Sequence, residues 1–165
     1  GLLIDPGAHD NLVGANTAAK MIEAARGKGY GSKERPLLQP MKVEGVGKGS
    51  QAASASVQIE IGIGGKLGSY TAPVIPDSDL PPLLGLKSLR SFRSILDMSG
   101  GEAELILPGP GGFELRLSPG SSRLPLKTAP SGHLILPVTE FPTTKGPDDQ
   151  TRFAFVSKRP TAKEQ

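Results

Sequence analysis

The period of apolar and polar positions changes several times along the chain, and each change predicts an element. Leu2-Leu3-Ile4 is a short apolar run that predicts a buried strand ending at Asp5. Pro6 and Gly7 then turn the chain, since proline fixes its own φ and glycine accepts angles that other residues avoid. Residues 11–14 return as a short apolar stretch. Ala18, Met21, Ile22 and Ala25 next form one stripe of a helix over 17–26, with Asn16 as its cap and Gly27 as its stop. A helix this short needs packing, which puts it on the outside of a sheet. Residues 27–36 read as a connector.

The middle of the chain changes to a period of two. Met41 to Glu44 alternates, residues 45–50 bend, and Val57 to Ile61 alternates cleanly. Residues 62–65 turn and Leu67 to Ile75 comes back, so a hairpin is expected. Leu83 and Leu84 read as the buried end of a strand. From Gly85 a short helix is expected to put Leu86, Leu89 and Phe92 on one side. Residues 94–98, 102–107 and 113–117 are three further alternating segments, the last two joined through Pro108 to Gly112 as a loop or hairpin. One more strand is expected over 133–137. From Pro142 the chain reads as a polar tail, despite Phe153 and Phe155.

Composition narrows the function classes. Gly 22 and Pro 16, with aromatics at 4%, favour short strands and many turns in one domain. The lack of cysteine excludes disulfides, thiol catalysis and thiolate metal sites. His9 and His133 have no ligand-like spacing, so no metal or other cofactor is expected. Residues 1–80 hold eight basic and eight acidic side chains, and 81–165 hold eleven and eight. That surplus is too diluted for direct nucleic-acid binding. No apolar run approaches membrane-spanning length, so no membrane partner is expected. The chain opens on Gly1 and reads as an excerpt of a longer polypeptide.

Two glycine-rich stretches invite nucleotide readings and fail them. In Gly45-Val46-Gly47-Lys48-Gly49-Ser50 a glycine separates Lys48 from Ser50, and alternating residues surround the segment where a phosphate loop needs a helix. Residues 62–68 lack the strand-to-helix setting of a dinucleotide fingerprint. What carries information is an ordered set. An apolar strand ends in Asp5-Pro6-Gly7-Ala8, a strand leads to Gly45-Val46-Gly47, a hairpin follows, and Leu83-Leu84-Gly85 precedes a short helix. In this order the chain resembles the retropepsin-like aspartic protease domain of retroviral and long-terminal-repeat retrotransposon polyproteins, over residues 1–107 and up to Leu117.

The resemblance implies an all-β acid-protease fold with short helices, mostly antiparallel strands and a glycine-tipped flap. It implies a domain over 1–117 and a turn-rich extension with a polar tail over 118–165. Asp5 would be the catalytic carboxylate. Pro6, Gly7, Ala8, Leu83, Leu84 and Gly85 would support its loop, with Gly45, Val46, Gly47 and His9 near substrate. One Asp-x-Gly per chain implies a homodimer cleaving a peptide or polyprotein substrate, and a retroelement polyprotein would put it inside the cell. Two close carboxylates share one proton: the ionised one takes a proton from water, and the neutral one donates toward the scissile carbonyl.

Three departures from the family pattern bear on activity. Pro6 stands where the family has Thr or Ser, and it lacks both the hydroxyl and the N–H that align the two aspartates, so impaired catalysis is expected. His9 and Leu86 stand where retroviral members pair Asp with Arg. Both partners are absent together, which strands no charge. The chain opens at Gly1, so the strands that the resemblance implies for a dimer's terminal sheet are expected to be missing or to lie elsewhere in the parent chain. Two other readings stay open: a catalytically silent relative serving dimerisation or peptide binding, and an unrelated glycine-rich β domain in which Asp5 caps its own turn.

Overall fold

The computed structural model describes residues 1–43, 51–139 and 141. The alternating middle of the chain builds the scaffold. Strands β4 (Gln51–Ile63) and β5 (Lys66–Ile75) form an antiparallel hairpin about Gly64 and Gly65. Both glycines have positive φ, which suits a two-residue turn to the twist of its strands. Strand β3 (Ser32–Val43) pairs antiparallel with β4, and β2 (Val13–Gly14) pairs in parallel with β5, giving the order β2-β5-β4-β3. The sheet's period of two buries Val57, Ile59, Tyr70 and Ala72 on one face. Helix α1 (Ala15–Arg26) lays Ala18, Met21, Ile22 and Ala25 on that face. Each large side chain buried there contributes roughly 1.5–3 kcal/mol.

A second core cluster of Leu12, Val43, Ala53, Ile75 and Leu83 leads to the start of the chain. Strand β1 (Leu3–Asp5) pairs in parallel with β6 (Leu83–Gly85), and Leu12 bridges antiparallel to Leu83. The hydroxyl of Tyr70 lies 2.9 Å from both the Leu12 and the Leu83 carbonyl oxygens. It ties the four-stranded sheet to the β1–β6 pair. Helix α2 (Leu86–Ser91) follows β6 directly. Two small antiparallel pairs complete the fold, β7 (Ile95–Asp97) with β8 (Glu104–Ile106), and β9 (Lys127–Thr128) with β10 (Leu134–Ile135). The chain is an all-β protein with short helices and mostly antiparallel strands. The expected flap tip, Gly45 to Gly47, lies outside the described residues.

Several elements differ from their sequence readings. The first strand is only half-buried, with Leu3 at 50% exposure, because β1 has a single full partner. Asn16 is not the helix cap: α1 starts at Ala15, and Gly14 is its N-cap. Gly14 packs so tightly on 78–80 that a Cβ there would meet the Ser78 carbonyl oxygen. That carbonyl accepts the Asn16 N–H at 3.1 Å, satisfying an orphan donor of the first turn without a capping side chain. The connector is shorter than 27–36, since β3 begins at Ser32. As the sheet's edge strand, β3 tolerates Pro36 and Pro40. Pro36 opposes Ala55 and Met41 opposes Ala53, so residues 37–40 bulge outward and Leu38 is fully exposed.

Phe92 is 59% exposed, because α2 ends at Ser91 with Phe92 as its C-cap. Residues 113–117 form no strand, and Phe113, Leu115 and Leu117 are exposed. The hairpin of that region is β7–β8, formed one segment earlier than the expected pairing across Pro108 to Gly112. Over 133–137 only Leu134–Ile135 is strand.

Candidate functional site

Asp5 ends β1, and its register partner is Gly85 at the end of β6. Leu3 pairs with Leu83 and Ile4 with Leu84. The structure therefore brings together two sequence motifs that lie some eighty residues apart. Beyond Asp5 the chain turns on its own carboxylate: the N–H groups of Gly7 and Ala8 donate to Oδ1 at 2.9 and 3.2 Å. The Ala8 N–H also lies 3.1 Å from the Asp5 carbonyl oxygen. Both side-chain bonds fall on Oδ1, and Oδ2 has no hydrogen-bond partner among the described residues.

The turn is held from behind by the start of α2. Leu86 and Lys87 donate their N–H groups to the carbonyls of Ala8 and His9 at 2.8 and 3.0 Å. Gly85 caps α2 without a side chain, so the loop's carbonyls do the capping. Gly85 has to be glycine, since a Cβ there would lie 2.5 Å from the Asp10 carbonyl oxygen and 3.0 Å from that of Ala8. Asn11, which the sequence reading passed over, locks the assembly. Its Oδ1 accepts from the Gly85 N–H at 2.9 Å and the Ser88 hydroxyl at 3.0 Å, and its Nδ2 donates to the Thr71 carbonyl at 3.0 Å. No local pattern marks Asn11, because all three partners are distant in sequence.

Side chains of β1 and its turn alternate between two grooves. Leu3, Asp5 and Gly7 line one, of about 750 Å³, while Ile4 and Pro6 line the other, of about 480 Å³. Both volumes fall within the ~300–1,000 Å³ typical of small-ligand sites. The Asp5 groove is further lined by Ala8, His9, Asp10, Lys42 and Leu83, and by Met41 and Val43 of the strand that leads into 44–50. The Pro6 groove is mainly apolar, lined by Leu86, Leu89, Leu96, Leu105 and Leu134 among others, with Arg90, Arg93 and Ser94 also on its wall. His9 lies on the groove wall and is exposed, whereas Leu86, its counterpart in the family's ion-pair pattern, is buried. An ion pair does form one residue further along each segment: Lys87 Nζ lies 3.8 Å from Asp10 Oδ1. Both side chains are well exposed, so it contributes at most about 1 kcal/mol.

Burial pushes the Tyr70 phenol above its ordinary range, with its hydroxyl fixed between two carbonyls beneath the loop. Among the described residues, no group of three or more His, Asp or Glu side chains is placed to hold a metal ion. No described helix is long and apolar enough to cross a membrane.

No family model and no curated protein matches the chain. Among solved structures it is similar to the retroviral protease-like domain of Ddi1 from Leishmania major, at 17% identity and a TM-score of 0.42. The match covers 63% of this chain and 76% of that one, and at that overlap it stands as a likeness only.

Proposed function

We propose that this chain is a retropepsin-like aspartic endopeptidase domain that cleaves peptide bonds of a retroelement polyprotein, with Asp5 as its carboxylate. One observation carries the reading: Asp5 lies at the end of β1 beside Gly85, on the wall of a groove of about 750 Å³. A carboxylate at a strand end, with one oxygen fixed by two backbone N–H groups, is pre-oriented for work at the other. Leu83, Leu84 and Gly85 hold its turn in register, and Gly7 and Ala8 supply the fixing donors. Gly45, Val46 and Gly47 would close over substrate, in keeping with the groove lining by Met41 and Val43 just before them.

One such carboxylate per chain calls for a second copy. In the dimer an ionised Asp5 takes a proton from water as that water attacks the scissile carbonyl. The neutral Asp5 of the other copy donates its proton to the carbonyl oxygen. The apolar groove on the Pro6 side, next to the loop that would meet its twin, supports an association face there. The test is cleavage of a mixed peptide library by the full chain over a dilution series. In the dilute range the rate is expected to rise as the square of protein concentration, and to vanish with Asp5→Asn. Cleavage by a monomer at a rate linear in concentration contradicts the proposal.

A further inference from the structure

The β9–β10 hairpin lies in the stretch read from sequence as an extension, yet it reaches both grooves. Leu126 and Leu134 line the apolar groove beside Leu86 and Leu89, while Ser131 and His133 line the Asp5 groove. Arg90 of α2 donates from Nη2 to the Thr128 hydroxyl at 3.2 Å. The tip is a closed turn: Gly132 N–H donates to the Ala129 carbonyl, and Ala129 N–H to that of His133, both at 2.9 Å. Gly132 has φ 88° and lies against the His9 ring, where a Cβ would come within 2.5 Å of Nδ1. Ser131 Oγ is 2.8 Å from His133 Nδ1, which fixes the second imidazole. The groove has a volume of about 750 Å³ with Ser131 and His133 on its lining, so the hairpin forms part of its wall.

We propose that residues 126–135 are a wall of the peptide site and that His133, oriented by Ser131, is a specificity-determining residue that selects an Asp or Glu side chain on the bound peptide. The proposal rests on the peptide-binding reading of the Asp5 groove. In the proposed tautomer the Ser131 hydroxyl donates to Nδ1, which leaves Nε2–H as a donor toward the ligand. Lys42 lines the same groove and adds positive charge, while Asp10 is already paired with Lys87. Asp5, the other carboxylate of the groove, accepts from the Gly7 and Ala8 N–H groups, and a ligand carboxylate is complementary in charge to Lys42 and to an Nε2–H of His133.

The experiment uses the full chain carrying Asp5→Asn, labelled for detection of histidine imidazole resonances. It is titrated with two random octapeptide pools, one containing Asp and Glu and one without them. In the free protein, proximity of the Gly132 α-protons to the His9 ring is expected as a nuclear Overhauser effect. Both histidines are expected to respond to peptide, with the acidic pool bound roughly three- to tenfold more tightly, the worth of one partly exposed hydrogen bond. Adding His133→Ala is expected to reduce that preference to the share that Lys42 supplies, and Ser131→Ala is expected to weaken it. Peptides that shift His9 but not His133, or a preference undiminished by His133→Ala, overturn the wall and leave the peptide-binding reading standing. Peptides that shift neither histidine overturn both.

Discussion

The two faces of β1 differ as sharply as two sides of one short strand can. On one side Asp5 opens into a groove with His9, Asp10, Lys42 and His133. On the other, Ile4 and Pro6 face leucines of α2, β7, β8 and β10. Alternation alone assigns them, since neighbouring strand residues point to opposite faces. The contrast recasts the departure at position 6. A residue there meets an apolar surface, where proline's lack of a donor strands no polar group. In the proposed dimer, proline would forgo the grip that a hydroxyl and N–H could provide between two copies. The polar side rests on a few hydrogen bonds that admit no substitute, and the apolar side on interchangeable bulk.

The largest effect should therefore come from the polar side. Gly85→Ala forces a Cβ into the Asp10 carbonyl, and a loss of more than about 3 kcal/mol is expected in urea unfolding, together with loss of any cleavage. Tyr70→Phe comes next. It strips a donor from the Leu12 and Leu83 carbonyls and should cost about 1–3 kcal/mol at neutral pH. Its pH dependence has a definite sign. Because the folded state holds the phenol above its ordinary 10.0, the stabilisation is complete below that pH and is lost as pH rises through the raised folded value. Wild type should thus lose more stability than Tyr70→Phe between neutral pH and about pH 11. On the apolar side, Leu89→Met keeps volume and chemistry and should cost under about 1.5 kcal/mol by the same measurement. A greater loss there than at Gly85 would erase the contrast.

Much of the Asp5 side was legible before any coordinates, for physical reasons. Val57 to Ile61 and Leu67 to Ile75 alternate because one sheet face is buried under α1, and the glycines between them mark the turn. Asp5 and Gly85 are associated only through the resemblance, which implies that Leu83-Leu84-Gly85 backs the aspartate's loop; local pattern shows two apolar runs and not their pairing, which β1 and β6 supply. The failures share one cause, which is dependence on distant partners. Asn16 has the composition of a cap, but the Ser78 carbonyl reached the helix first. Phe113, Leu115 and Leu117 alternate like a strand without finding one to pair with among the described residues. Asn11, and the hairpin that sets Gly132 against His9, act through contacts across 60 or more residues, which no local period encodes.

In the proposed protease the Asp5 face does the chemistry and the Pro6 face aligns it. The most direct measurement is cleavage of a mixed peptide library at mildly acidic pH by wild type, Asp5→Asn, Pro6→Thr and the double variant, each at dimer-forming concentration. Pro6→Thr restores a hydroxyl and an N–H behind the aspartate, and a rate up to ~100-fold above wild type is expected from the improved alignment. Asp5→Asn should abolish cleavage in either background, because an amide cannot take the water's proton. Cleavage that survives Asp5→Asn, or a folded, dimeric Pro6→Thr variant that cleaves nothing, would contradict the claim.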